Sequence, residues 1–157
     1  MVLDKPKSRG SDLGEIAVAR FLAGYNCAEA TFMTLAEALG FAGDYIPSVA
    51  TGFGGGLGHT GLACGCLTGG IMAIGLAAGH KHADDLAGKE RAINQAMDFR
   101  RAFEAAIGEI NCRAMTGYDL TDPAQFEEYK VKVKPTRCAG YMRQAVALAT
   151  KPLGLED

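Results

Sequence analysis

The stretch LACGCLTGGIMAIGLAAG, residues 62–79, runs for 18 residues without a formal charge, and its reading decides the fold. A segment that is apolar on every side belongs either inside a protein core or inside a bilayer. At this length it stands at the lower limit for a membrane span, and no aromatic or basic belt flanks it. Cys64, Cys66, Thr68 and five glycines dilute its hydrophobicity further. It reads as the buried central helix of a soluble domain, not as a membrane span.

On its N-terminal side lies GFGGGLGHTG, residues 52–61, which is too rich in glycine for a stable helix or an ordinary strand. A loop shaped by its backbone is expected there. Further back, Asn26 and Glu29 have the spacing of a capping box, and Ala28, Phe32, Leu35, Ala36 and Leu39 form one apolar stripe before Gly40. Cys27 is then the first residue of a helix. Ser11, Glu15 and the apolar set Ile16, Val18, Ala19 and Leu22 predict a shorter helix that ends at Gly24.

On its C-terminal side, Ala92, Ala96, Phe99, Phe103, Ile107 and Ile110 recur at helical spacing through residues 84–110. Asn111-Cys112 repeats the pair at 26 and 27. A polar connection through Asp122, Pro123 and Lys134-Pro135 leads to a last helix, with Thr136 as its cap and Cys138, Tyr141, Met142, Ala145 and Ala149 on one side. No segment combines strict alternation with β-branched residues. The expectation is an all-α fold, a compact bundle of about five or six helices with a glycine-rich loop before its buried central helix.

A chain of 157 residues is long enough for one core, so residues 1–10 read as a polar arm and 11–157 as a single domain. Sixteen Lys and Arg against 18 Asp and Glu leave a net charge of -2, which supplies no footprint for nucleic acid. Five cysteines are an odd number in a chain this large, and MVLDKPKSRGSDLG lacks the apolar core of a signal peptide. Reduced thiols in the cytoplasm are expected.

Cys27, Cys112 and Cys138 each fall one or two residues past a plausible N-cap, and Cys64 opens the central helix. A helix start offers unpaired N–H groups and partial positive charge, which favour thiolate. If these four starts converge, the sulfur-lined pocket suits an iron–sulfur cluster or a soft metal, and thiol–disulfide chemistry nearly as well. Against this stands the ordinary role of buried cysteine as a small hydrophobe. There is no CxxC and no CxxCH for covalent haem.

In order, Asn26-Cys27-Ala28-Glu29-Ala30, Gly52-Phe53-Gly54-Gly55-Gly56-Leu57-Gly58, Cys64-Gly65-Cys66-Leu67-Thr68-Gly69, Ile110-Asn111-Cys112-Arg113 and Arg137-Cys138 span most of the chain. Together they resemble the family of redox-active proteins with four characteristic cysteines and a CGAxxG motif. Cys66 stands where that motif has alanine, so Cys64 matches the motif cysteine. The resemblance implies an all-helical domain of the kind found within split-Soret cytochromes, where it accompanies haem and iron–sulfur centres. It implies no settled reaction.

Gly56, Gly58 and Gly61 make a formal GxGxxG, but no strand precedes it and no βαβ unit follows, so nucleotide binding is not expected. The backbone of Gly54, Gly55, Gly56 and Gly58 is expected to approach the sulfur site and point N–H groups at it. His59 and Cys66 are secondary candidates for ligands, whereas His80 and His82 read as solvated residues past a helix end. Arg113 and Arg137 adjoin Cys112 and Cys138 and are assigned no catalytic role.

Three functions fit this pattern. The first is a [2Fe-2S] centre held by Cys27, Cys64, Cys112 and Cys138 that passes single electrons to a partner protein. The second is metal-free thiol–disulfide redox chemistry initiated by Cys27 or Cys64. The third is a structural or interaction protein with core cysteines and a homodimer surface on the helix of residues 84–110.

Overall fold

The computed structural model describes residues 10–156, and among them the architecture is all-α. The arm expected over residues 1–10 lies outside the described residues apart from Gly10, which already begins the first helix. Helix α1 (Gly10–Ala23) buries Leu13, Ala17, Val18 and Phe21. Of the stripe expected there, only Val18 is inside, while Ile16, Ala19 and Leu22 face outward. The helical phase starts from Leu13, and spacings of four from it carry 17 and 21 inward.

Helix α2 (Cys27–Ala38) starts at the expected capping box, with the Asn26 side chain accepting from the Glu29 N–H and the Glu29 carboxylate accepting from the Asn26 N–H. It is enclosed on nearly every side, from Ala28 to Ala38. A short α3 (Tyr45–Ser48) and a 3-10 turn (Thr51–Phe53) lead into α4 (Gly54–Leu57), one turn in which Gly55 and Gly56 adopt left-handed backbone. The apolar stretch forms α5 (Gly65–Ala78), so α2 and α5 share the centre. Among the described residues no helix is long and apolar enough to cross a membrane.

Glycines on α5 set how closely its neighbours approach. A Cβ at Gly69 would stand 2.8 Å from the Ala28 carbonyl oxygen, and one at Gly70 would stand 2.5 Å from the Phe99 ring. Side chains at these positions would push α2 and α6 away, so their absence permits backbone-close packing on two sides. Helix α6 (Leu86–Ile107) is capped by Asp85, accepts α5 against Phe99 and Phe103, and ends at a left-handed Gly108. Burying aromatic rings this fully contributes about 1.5–3 kcal/mol each.

After α7 (Cys112–Thr116), the stretch read as a polar connection holds α8 (Pro123–Lys132). Asp122 accepts from the N–H groups of Ala124 and Gln125, and Pro123 occupies the first turn, where its missing N–H costs nothing. The next segment also departs from expectation. Lys134–Cys138 is a π-type turn that runs directly into α9 (Ala139–Leu153), and the Thr136 hydroxyl donates back to the Lys132 carbonyl instead of capping a new helix. Helix α9 buries Met142, Ala145, Val146 and Ala149 and packs along α1, where Arg143 bonds Glu15 at 2.6 Å.

Two glycine substitutions on α5 separate packing from propensity. Gly69→Val is expected to lower unfolding stability by about 1–3 kcal/mol, because its side chain meets the α2 backbone. Gly75→Ala, with nothing within 4 Å of its built Cβ, is expected to raise it by about 0.5–1 kcal/mol. Urea denaturation of both variants checks the pair, and equal effects would refute the close-packing account.

Candidate functional site

Two antiparallel backbone contacts bring the middle of the chain together. The Cys64 N–H donates to the Ile110 carbonyl at 2.8 Å, and the Cys112 N–H donates to the Leu62 carbonyl at 2.7 Å, which forms an isolated bridge between Ala63 and Asn111. This seats Cys64, the N-cap of α5, beside Cys112, the first residue of α7. On the other side, Gly65 faces the start of α2: a Cβ there would lie 2.3 Å from the Cys27 sulfur. Glycine at 65 therefore leaves the space that the thiol occupies.

The start of α2 is fastened to the glycine turns. Asn26 donates through Nδ2 to the Thr51 carbonyl at 2.9 Å, the Thr51 hydroxyl donates to Glu29 at 2.6 Å, and a Cβ at Gly54 would lie 2.5 Å from Asn26 Nδ2. Gly55 donates its N–H to the Cys27 sulfur, and Gly56 lies against Cys112, where a Cβ would come within 2.8 Å of the Cys112 Cβ. Gly58 is different. It closes the turn with left-handed backbone and has only the Gly52 carbonyl within 4 Å of its built Cβ, so it does not approach the sulfurs.

Arg137 brings in the last cysteine, its guanidinium donating to the Met115 and Thr116 carbonyls at 3.4 and 3.1 Å, and Tyr141 donates to the Met115 carbonyl at 3.2 Å. These bonds tie the π-type turn to the end of α7. Cys138 is consequently not at a helix start, since its own N–H is spent on the Val133 carbonyl. Arg113 instead pairs with Asp119 at 2.6 Å on the surface.

All five cysteines, Cys27, Cys64, Cys66, Cys112 and Cys138, line one cavity of about 20 Å³, closed by Met115, Thr116, Tyr129 and Tyr141. All five are free thiols; Cys27 is half-buried and the others are buried. Cys66 belongs to this wall as fully as Cys64. His59 does not: its ring lies tilted by 34° against Phe126 with centroids 5.1 Å apart, outside the sulfur cavity, and His80 and His82 are exposed. Tyr129 is the residue that sequence reasoning missed, because it sits on the unexpected α8. The Asp122-Pro123 pair, an N-cap followed by proline at the first helical position, was the available signal.

Burial pushes the Cys27 thiol up to about 11, with the neighbouring Cys64 charge adding to it, while the N–H groups of Gly55, Ala28 and Gly65 act in the other direction. Cys112 and Cys138 rise to about 12, each chiefly through burial and then through the other sulfurs. Thr116 opposes this at Cys112, and the Tyr129 hydroxyl, donating to sulfur, opposes it at Cys138. Cys64 alone moves down, because the Cys66 thiol donates to it along with the Cys66 and Leu67 N–H groups. Cys66 correspondingly keeps its proton. The cavity thus places one favoured thiolate among thiols whose joint ionisation is opposed by desolvation and like charge.

Five cysteine sulfurs line this cavity beside the Thr116, Tyr129 and Tyr141 hydroxyls, and among the described residues no carboxylate lines it. Among the described residues no group of three or more His, Cys, Asp or Glu side chains is arranged to hold a metal ion as it stands. The site defines the class of protein: an all-helical domain built around a buried cysteine centre. A family model described as "Putative redox-active protein (C_GCAxxG_C_C)" matches residues 25–151, and the chain belongs to that family. No curated protein and no solved structure matches it.

The GCAxxG of that family pattern fits Gly65-Cys66-Leu67-Thr68-Gly69-Gly70, with Leu67 in the alanine position. The CGAxxG form expected from the sequence takes Cys64 as the motif cysteine, whereas the family's pattern places that cysteine at Cys66. The structure puts both cysteines on the same cavity.

A thiol with a folded pKa above its unfolded value of 9.0 keeps its proton longer in the fold. Unfolding then releases protons between the two values, so stability is full below about pH 9 and falls as pH rises toward about 12. The metal-free, reduced chain is expected to lose denaturant resistance as pH rises from about 9 toward about 12, and Cys112→Ala to flatten that decline. A midpoint independent of pH over this range would contradict the burial argument.

Proposed function

We propose that this protein is an electron-transfer component whose Cys27, Cys64, Cys112 and Cys138 hold an iron–sulfur cluster, most simply [2Fe-2S]. The observation that carries the proposal is the convergence of every cysteine of the chain, from distant segments, on one enclosed cavity. The chemistry of the donor set fits such a group. Thiolates suit iron–sulfur clusters and soft metals, and hydrogen bonds to ligand sulfur help set their potential.

Three of the four proposed ligands have a donor within reach: backbone N–H groups for Cys27 and Cys64 and the Tyr129 hydroxyl for Cys138, while the Thr116 hydroxyl is spent on the Cys112 carbonyl at 2.8 Å. A bound cluster supplies one-electron chemistry. The chain's own residues bury the centre and direct N–H and O–H groups at its sulfurs, against the desolvation that keeps Cys27, Cys112 and Cys138 protonated. Tyr129 and Met115 close the cavity, and Gly55 and Gly65 give backbone access to Cys27 without side-chain bulk. Five free thiols accord with a reducing compartment such as the cytoplasm.

A specific contact favours a second reading, metal-free thiol redox. Cys66 stands beside Cys64 on the cavity wall and its thiol draws the Cys64 pKa down, so Cys64 is the sulfur most readily made a nucleophile among the neighbouring thiols. The cavity of about 20 Å³ has room for one water-sized occupant in its present form, which suits sulfur–sulfur exchange.

Anaerobic purification separates the two readings. The expected result is visible absorbance with iron and acid-labile sulfide in comparable amounts, lost in Cys112→Ser and Cys138→Ser and kept in Cys66→Ala. A colourless protein that gains neither iron nor sulfide on reconstitution overturns the cluster. In that case a disulfide formed under mild oxidant, absent from Cys64→Ser, would establish the thiol reading, and five thiols still free would overturn it as well.

A further inference from the structure

A second cavity, of about 150 Å³, opens at the surface and shares Cys27 and Tyr129 with the sulfur cavity. Cys27 is the one cysteine that is not fully buried, so this opening is where an outside molecule meets the centre. Its walls are largely aromatic, with Phe21, Tyr25, His59, Phe126 and Tyr129 among its lining residues. The His59 ring lies beside Phe126, held there by left-handed backbone at His59 (φ 64°), and Gly55 makes room for it, since a Cβ at that position would stand 2.4 Å from the ring.

The opening is also positively charged. Lys130 and Lys134 both line it, their ammonium groups seated 4.9 Å over Phe126 and 4.7 Å over Phe21, and among the described residues no Asp or Glu lines it. Lys130 is partly neutralised by Glu127 at 2.7 Å. Lys134 forms no ion pair among the described residues. A volume of this size is below that of a cofactor or drug-sized pocket and accommodates a single ring.

We propose that this pocket binds a small aromatic anion, with its ring against His59 and Phe126 and its carboxylate or sulfonate on Lys134, and holds it next to Cys27. Its role as the small-molecule ligand of the redox centre rests on the cysteine reading above; the binding itself does not. An anion paired with an ammonium group loses that partner when its charge is removed, whereas the ring contacts stay. Charge on the ligand and charge at residue 134 therefore have to act together.

Titration of the full-length protein with benzoate and with benzamide, followed through the ring resonances of His59 and Phe126, tests the proposal. Benzoate is expected to give saturable shifts and to bind about fivefold or more tightly than benzamide. Lys134→Gln should weaken benzoate by a similar factor while leaving benzamide unchanged, and Lys134→Arg should restore it. Absence of saturation, equal affinity for the two probes, or indifference to Lys134→Gln would overturn the site.

Placement beside Cys27 is read separately in the metal-free, reduced chain. Saturating benzoate should slow alkylation of Cys27 by iodoacetamide, and an unchanged rate would overturn the placement. Iron content measured on the same preparations distinguishes the two proposals. A protein that binds benzoate yet takes up no iron supports the pocket and overturns the cluster.

Discussion

The close approach of α2 to the glycine face of α5 is the contact on which the rest of the molecule depends. Gly69 lets the Ala28 carbonyl come near the α5 backbone, and four residues earlier, one helical turn, Gly65 does the same for the Cys27 sulfur. One row of missing side chains therefore packs the core and brings a thiol to the start of α5. Gly70 extends the arrangement to α6 through Phe99. The cost is the conformational freedom that glycine loses in a helix, about 0.5–1 kcal/mol at each position, and tight interhelical packing offsets it.

At the sulfur cavity the balance is electrostatic. Desolvation and mutual repulsion hold Cys27, Cys112 and Cys138 protonated, while directed N–H, O–H and S–H groups favour charge on particular sulfurs. These opposing influences leave the centre short of positive charge. Among the described residues no Lys, Arg or His lines the cavity, and the Arg137 guanidinium is engaged with the carbonyls at the end of α7. A cation entering among the sulfurs would relieve the repulsion that the protein itself leaves in place.

Much of this was legible in the sequence because it is written in local signals. The Asn26–Glu29 capping box places Cys27, the uncharged stretch of 62–79 gives α5, and Phe99 and Phe103 mark the buried side of α6. The order of motifs gave the family. What was not legible depends on tertiary context. Lys134-Pro135-Thr136 has the composition of a helix start, but the preceding helix runs into it through a π-type turn, so Cys138 reaches the site by way of Arg137 and Tyr141 and not by a helix terminus. In α8 Phe126 and Tyr129, with Val133 at the C-cap, are the apolar residues that turn toward the interior, a stripe of three that the surrounding charges obscure. The bridge between Ala63 and Asn111 has no local signature at all, since each half is ordinary loop until the other is beside it.

That bridge has a consequence for how the protein assembles. It clasps the base of the α5–α6 hairpin and joins two points of the chain separated by both helices. Closing so long a loop early would lose chain entropy with little return, so the favourable route folds the hairpin first and fastens the clasp afterwards. Cys64 and Cys112 then become neighbours only in a nearly finished molecule. Nascent or half-folded chains lack the assembled centre, and its formation marks the completion of folding.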